Sequence, residues 1–482
     1  MSSSQIRTAT LPVELLTMIV QNIHDGDDLH QLARTSRDFN FLAVEELCSK
    51  YNIHPRSGIL TLDNHTLPII STLAISLSIV GAPLQFLNCD LTNTQSPQEM
   101  IKQTSSLLNF VSALSSLQRA SFYFPSSGPG EWEDTLVAVF DTLAEKSCTD
   151  LHVKTFTRST TSPGPRNNKL ASLLQRFSLP STGKRQNSRI VKTYSNRLET
   201  CYLQTLPTFL QPLFLYRLNA SSRLTNLTFR YIYNYQEWDA FITHLDLPSL
   251  LVFTVSHCII PGDAFSTFLK HHPSIVSLDF HHNTYLRHNP PALPSGILPR
   301  LTKLRTTSEY LVRYFPPLDT FPELTSVILP AGDMARDSTR AVMALQALLP
   351  CVNDITLSLE FTYVQCLDTW LRDSLVRAHH HGQAANRFGD TDPTRFLRCV
   401  KALKLDSKLI AYSSDGVIDL LVRWLCMFPA LNRVFITRPC LPRVFTRDHF
   451  QKFAKMLARG SACVKNISVE ADDLSIWTSC IN

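Results

Sequence analysis

The side chains best equipped for chemistry in this 482-residue chain are its sixteen histidines and twelve cysteines, and their spacing decides what they can do. Three histidines stand together at His379, His380 and His381, with Arg387, Gly389 and Asp390 nearby. Adjacent histidines bind a metal ion loosely, but no cysteine or acid stands at a zinc-ligand spacing from them, so a polar loop before Pro393 is expected and no metal site. The pairs His271-His272 and His281-His282 flank one short segment and read as surface residues. The cysteines are scattered singly from Cys48 to Cys480 without a C-x-x-C pair. They fit small buried hydrophobes in a reducing compartment, and the expected location is cytoplasmic, nuclear or both. Nucleophile elbows, P-loops, zincin helices, dinucleotide fingerprints and kinase signatures are all missing from the sequence. With only 14 glycines there is little material for phosphate loops. No catalytic residue, cofactor or metal is expected, and the chain reads as a non-enzyme.

Charge is the second chemical resource, and it is local. From Lys154 to Arg197 the chain carries ten basic residues and no acid, which exceeds the formal net charge of +6, so the remainder is net acidic. The same stretch holds Ser159-Thr160-Thr161-Ser162-Pro163-Gly164-Pro165, with a short helix expected near Leu170 to Phe177. It could hold an acidic or phosphorylated signal, contact nucleic acid, serve nuclear import, or be a basic loop with no specific partner. No nucleic-acid-binding fold motif accompanies the charge, so dedicated nucleic-acid binding is not expected.

The elements that must position these residues show most clearly as a repeat. Leu198, Leu224, Leu250, Ile275, Leu301, Leu324 and Val352 each open a run, and their successive separations are 26, 26, 25, 26, 23 and 28 residues. The run has the form apolar-x-x-apolar-x-apolar, as in Leu224, Leu227, Phe229 and in Ile275, Leu278, Phe280. Its last two positions alternate as in a strand. Less regular copies start at Leu117, Cys148, Val400, Leu431 and Val464. A proline stands two residues before six starts: Pro248, Pro273, Pro299, Pro322, Pro350 and Pro429. Proline cannot continue a helix, so it marks where a connecting helix yields to a strand. Amphipathic helices are expected over Trp238 to His244, Ala264 to Lys270, Thr339 to Leu349 and Gly416 to Met427. In two repeats Cys258 or Asn283 follows the strand, where a side chain can bond turn backbone. The uncharged stretch Leu67 to Leu87 is interrupted by Pro68 and Pro83, and alternates Ile75, Ser76, Leu77, Ser78, Ile79, so it reads as a buried strand and not a membrane span.

Over roughly Leu60 to Asn482 this pattern resembles the leucine-rich-repeat proteins. The implied fold is an α/β solenoid, with parallel strands on a concave face and helices on a convex one. By strand alternation Arg230, Asp279, His281, Arg305, Lys404 and Phe435 should face whatever the solenoid binds, although ordinary solvated sheet residues would read the same way.

The first fifty residues differ. Pro12 and Glu14 suit a helix start, and Leu15, Ile19 and Ile23 follow one turn apart. Asp25-Gly26-Asp27-Asp28 ends that helix and caps another carrying Leu29, Leu32 and Ala33. A third segment carries Phe39, Leu42, Ala43 and Leu47. Leu11-Pro12-x-Glu14-Leu15-Leu16, then Asp28-Leu29, Leu32-Ala33, Ser36 and Phe39, then Leu42-Ala43 resembles the F-box, although that family often has tryptophan where Phe39 stands. The resemblance implies docking on a SKP-type adaptor, and through it a cullin, by Leu11, Pro12, Leu15, Leu29 and Leu32. It divides the chain into an F-box at 1–55 and a solenoid at 56–482 with inserted loops near 157–192 and 378–394. The implied function is substrate recognition for a SKP-cullin-F-box ubiquitin ligase, with a protein substrate that the sequence does not identify. A ligase-independent scaffold, with the helices as a cap on the first repeat, is the alternative.

Overall fold

A computed structural model of the chain describes residues 11–54, 57–63, 65–80, 83–92, 94, 96–125, 131–156, 197–206, 210–232, 239, 241–281, 284–287, 291–330, 343–361, 364–380, 394, 397–407, 416–461, 463–470 and 476–480. It is a mixed α/β protein whose strands are nearly all parallel, in two compact units. The first unit takes residues 1–232 and 244–249; the second takes 233–243 and 250–482.

The first unit opens with three helices, α1 (Val13–Gln21), α2 (Gly26–Ala33) and α3 (Arg37–Lys50). Short polar side chains start the second and third, because the first N–H groups of a helix have no partner within it. Asp25 Oδ1 accepts from the Asp27 N–H at 2.7 Å, and Ser36 Oγ accepts from the Phe39 N–H at 3.2 Å. Val20, Leu29, Ala33, Ala43, Val44 and Leu47 form the core of this bundle.

The stretch after Leu67 is helical where a strand was expected: a 3-10 turn at Leu67–Ile69, then α4 (Ile70–Ala74) and α5 (Leu77–Val80). The reason lies in Asn40. Its buried amide donates to the carbonyls of Ala33 at 2.9 Å and Ile75 at 3.0 Å, and its oxygen accepts the Leu77 N–H at 2.9 Å. The backbone groups freed where α4 breaks into α5 are therefore satisfied by one side chain.

Six parallel strands pair in chain order, with α4 and α5 between the first two: β1 (Ile59–Leu62), β2 (Leu84–Asp90), β3 (Leu117–Pro125), β4 (Asp150–Phe156), β5 (Thr200–Gln204) and β6 (Asn226–Arg230). The helices α6 (Pro97–Ala113), α7 (Trp132–Glu145) and α8 (Gln211–Asn219) lie between them in sequence. The register aligns Leu60, Leu87, Ala120, Leu151, Cys201 and Leu227 in one buried column, and Leu62, Cys89, Phe122, Val153, Leu203 and Phe229 in a second.

The second unit repeats the arrangement with β7 (Val252–Ser256), β9 (Ser277–His281), β11 (Lys303–Thr306), β12 (Ser326–Pro330), β13 (Ile355–Phe361), β14 (Val400–Ser407), β15 (Arg433–Ile436) and β16 (Asn466–Glu470). An antiparallel strand, β17 (Ile476–Cys480), pairs with β16, while β8 (Ile259–Pro261) and β10 (Tyr285–Arg287) form a ladder of their own. Its helices are α9 (Gly262–His271), α10 (Ser308–Arg313), α11 (Val364–His380), α12 (Val417–Leu425) and α13 (Arg447–Gly460). One buried column runs Phe253, Leu278, Leu304, Val327, Leu357, Leu403, Val434 and Ile467.

Hydroxyl groups in the turns before the strands tie each turn to the one before it. Ser221 donates to the Leu198 carbonyl at 2.7 Å and Ser249 to Ser222 at 2.7 Å in the first unit; Ser274 donates to Leu250 at 2.8 Å in the second. The Cys258 thiol donates to the Ser256 carbonyl at 3.1 Å, the backbone-bonding role expected of it, whereas Asn283 lies outside the described residues.

Six of the seven anticipated repeat starts are buried, and Val352 is not: it is 83% exposed. In β13 the residues opposite Val327 and Leu329 are Leu357 and Leu359, so the columns are filled two positions later than the run Val352, Ile355, Leu357 implies. Val352 therefore stands ahead of the columns, in solvent, and the ladder to β14 shifts register at Ile355/Thr356, where Lys401 is skipped. The insertion expected near 157–192 lies outside the described residues, as does most of that near 378–394; α11 runs on to His380.

The columns should govern stability. Phe280, fully buried against the rings of Phe265 and Tyr310 at 4.9 Å each, should cost about 3–5 kcal/mol as Phe280→Ala. Val352→Ala should cost no more than about 0.5 kcal/mol, with urea unfolding as the measurement.

Candidate binding face of the sheet

Residues that alternate with the buried columns stand on the open face of each sheet. In the first unit two rows of side chains cross it. One row is Asn88, Ser121, His152, Tyr202 and Thr228; the next is Asp90, Tyr123, Lys154, Gln204 and Arg230. Lys154 Nζ donates to the Tyr123 hydroxyl at 3.2 Å and lies 4.7 Å from the centroid of that ring and 5.6 Å from that of Tyr202. The Tyr202 hydroxyl donates to Gln204 Oε1 at 3.1 Å, and the Tyr202 ring lies 5.3 Å from His152. Arg230 sits 5.0 Å from the Tyr231 ring centroid. Tyr231 has φ 55, a left-handed turn that redirects the chain directly after Arg230.

The carboxylates near these rows are already engaged. Asp90 accepts from the N–H and hydroxyl of Thr92 at 2.9 and 2.6 Å, and Asp150 takes the Arg119 guanidinium at 2.9 Å. Among the described residues, neither Lys154 nor Arg230 has a carboxylate partner. Burial lowers the pKa of His152, so its ring is neutral at pH 7.

The face of the second unit is built differently. Arg305 donates to Asp279 at 3.3 Å and, reaching across β12, also to Glu360. Lys404 pairs with Asp406 at 3.1 Å and lies 5.5 Å from the Phe435 ring centroid. Its cations are thus matched by acids on neighbouring or same-strand positions.

Strand alternation therefore placed Arg230, Asp279, Arg305, Lys404 and Phe435 on the open faces. The structure brings Asp279 to Arg305 and Lys404 to Phe435, and leaves Arg230 in the other unit. His281 is the last residue of β9, and its side chain lies outside the described residues. Sequence reasoning missed Glu360, Asp406, Tyr123, Lys154 and Tyr202. The same alternation, carried one step past the last apolar residue of each run, would have found Asp406, Tyr123 and Lys154; in the run ending at Leu357 that step reaches Ser358 and stops short of Glu360.

Of the expected adaptor-docking residues, Leu11 is 55% and Leu15 46% exposed, and Pro12 is exposed beside them. Val13, Met18 and Ile19 extend the apolar surface of α1. Leu32 is half-buried, and Leu29 is fully buried in the bundle, so it is not part of that surface. The bundle is fastened to the chain that follows it by Asn40 and by a 2.8 Å hydrogen bond between His30 Nδ1 and Thr72 Oγ1.

Most of the described cysteines are buried, but Cys426 is half-buried and Cys463 and Cys480 are exposed, against the expectation of buried thiols. Burial pushes the thiols of Cys48 up to about 11 and of Cys148 and Cys440 up to about 12, far from nucleophilic. An apolar pocket lined by Phe140, Leu143, Leu151, Leu213 and Phe214 has Arg217 at its rim, paired with Asp141. Among the described residues no cluster of His, Cys, Asp or Glu is fit to hold a metal ion, and no helix is long and apolar enough to cross a membrane. No protein-family model matches the chain, and no curated protein matches it.

Two outcomes follow. Arg305→Met strands two half-buried carboxylates and should cost about 1–3 kcal/mol in urea unfolding, part of it recovered by adding Glu360→Gln. His152 has a folded-state pKa below its unfolded one, so its contribution is complete above the unfolded value near 6.5 and is lost as pH falls below it. His152→Gln should flatten that acid limb of stability, read as the thermal midpoint between pH 7.5 and 5.

Proposed function

We propose that the chain is a substrate-recognition subunit of a SKP-cullin-F-box-type ubiquitin ligase: an F-box followed by an irregular leucine-rich-repeat solenoid. The observation that carries this reading is the apolar face of α1. Leu11, Leu15, Met18 and Ile19 recur at helical spacing and remain exposed at the start of a three-helix bundle whose sequence resembles the F-box. An exposed apolar stripe on a small bundle is a natural docking surface. The parallel strands, with their buried columns and recurrent spacing near 26 residues, support the repeat reading.

In this reading the open sheet face captures a protein, and the ligase's other subunits perform the chemistry, with this chain supplying proximity. Its setting would be the cytoplasm or nucleus, where single thiols stay reduced. A second reading, a ligase-independent scaffold, is favoured by one observation: Leu29 points into the bundle, which leaves the α1 end of the expected docking set to make the contact.

The test is co-purification with a SKP-type adaptor. The variant Leu11→Ala, Pro12→Ala, Leu15→Ala should lose the adaptor while its unfolding midpoint in urea stays at the wild-type value, because the three side chains are exposed. A well-folded wild type that does not bind the adaptor would leave the scaffold reading in place.

A further inference from the structure

The two sheet faces differ in one respect that bears on what they hold. In the second unit Arg305 sits between Asp279 and Glu360, and Lys404 beside Asp406. In the first unit Lys154 is held by the Tyr123 hydroxyl and the rings of Tyr123 and Tyr202, and Arg230 by the ring of Tyr231. Ring faces and hydroxyls orient a cation without neutralising it, so both keep a full charge to offer. Both are half-buried, which strengthens their attraction for an anion relative to fully solvated cations.

We propose that the row Tyr123, Lys154, Gln204 and Arg230 on the first unit's sheet binds an extended, carboxylate-rich peptide segment of a partner protein. This rests on the reading that the sheet face captures protein, and names the chemistry captured.

Spacing favours two separate carboxylates over one phosphate. Lys154 and Arg230 stand on β4 and β6 with Gln204 of β5 between them, about 10 Å apart by the spacing of neighbouring strands. A single phosphate dianion is served by donors that converge on it. Two cations held apart instead match alternate acidic residues of an extended peptide, about 7 Å apart at Cα and closing the remainder with their side chains. Gln204 and Tyr202 stand on β5, between the strands that carry the cations, and the Gln204 amide N–H can donate to a peptide carbonyl. Two cations without a carboxylate partner among the described residues are too few for a nucleic-acid track, which neutralises many phosphates. The chain's own segment after β4 is no rival occupant, because from Lys154 to Arg197 it contains no acid.

The probe is a fluorescein-labelled peptide of alternating Glu and Ser, titrated with the full chain and read by fluorescence anisotropy. The wild type should bind it, more weakly as salt is raised. Lys154→Met with Arg230→Met should weaken binding at least about tenfold, the scale of losing charge-assisted contacts. Lys154→Arg with Arg230→Lys, which keeps both charges, should retain binding, and so should Lys404→Met on the other face. Failure of the wild type to bind, or equal binding by the double Met variant, would overturn the proposal. So would tighter binding of a phosphoserine peptide without Glu, or displacement of the Glu peptide by oligothymidylate at the same two residues. Adaptor co-purification from the same preparation separates the two readings. Adaptor capture without peptide binding sinks this inference alone; peptide binding without adaptor capture upholds it and removes the ligase.

Discussion

The in-register alignment of small runs of buried side chains is the constraint on which the rest of the molecule depends. A parallel strand cannot be joined to its neighbour by a tight turn, so every strand needs a crossover. Each crossover must return the chain at the height where Leu227 meets Cys201, or Leu278 meets Phe253. Because side chains alternate along a strand, a slip of one residue would bury the charged rows and expose the columns. Burying Lys154 or Arg305 without a partner is far costlier than losing one leucine contact, so the open-face charges guard the register as firmly as the core attracts it.

The pre-strand turns share in that task. The hydroxyls of Ser221, Ser249 and Ser274 each reach the carbonyl of the preceding turn, fixing where a strand begins. In the seventh repeat the chain keeps Leu357 and Leu359 in the columns and leaves Val352, the anticipated start, in solvent. Core positions are kept and spacing is sacrificed, the order of priority expected when apolar burial dominates.

The strand positions of the repeats were legible from the sequence because two apolar residues separated by one are a local signal. The helices α1, α2 and α3 were legible for the same reason, with Pro12, Asp25 and Ser36 marking their starts. The stretch from Ile75 to Ile79 was misread as strand, because what makes it helical is Asn40, a residue 35 positions earlier that bonds the Ile75 carbonyl. β2 was overlooked although Leu84, Leu87 and Cys89 follow the repeat pattern. The face residues were only half legible. Alternation says which side a residue occupies, but whether Arg305 meets Glu360, 55 residues later, depends on crossover lengths that no local pattern encodes.

Asn40 carries a further consequence. Its bonds to the Ile75 carbonyl and the Leu77 N–H give the amino-terminal bundle a second, non-covalent attachment within the unit that also contains β1 to β6. A tether of flexible chain would let a partner on α1 and a partner on the strands sample many separations, with an encounter frequency set by contour length. A bundle pinned by Asn40 and His30 as well as by its backbone behaves as a bracket: reach and bearing are machined into the fold, and lengthening the backbone between Tyr51 and Ile59 would change neither until those bonds let go.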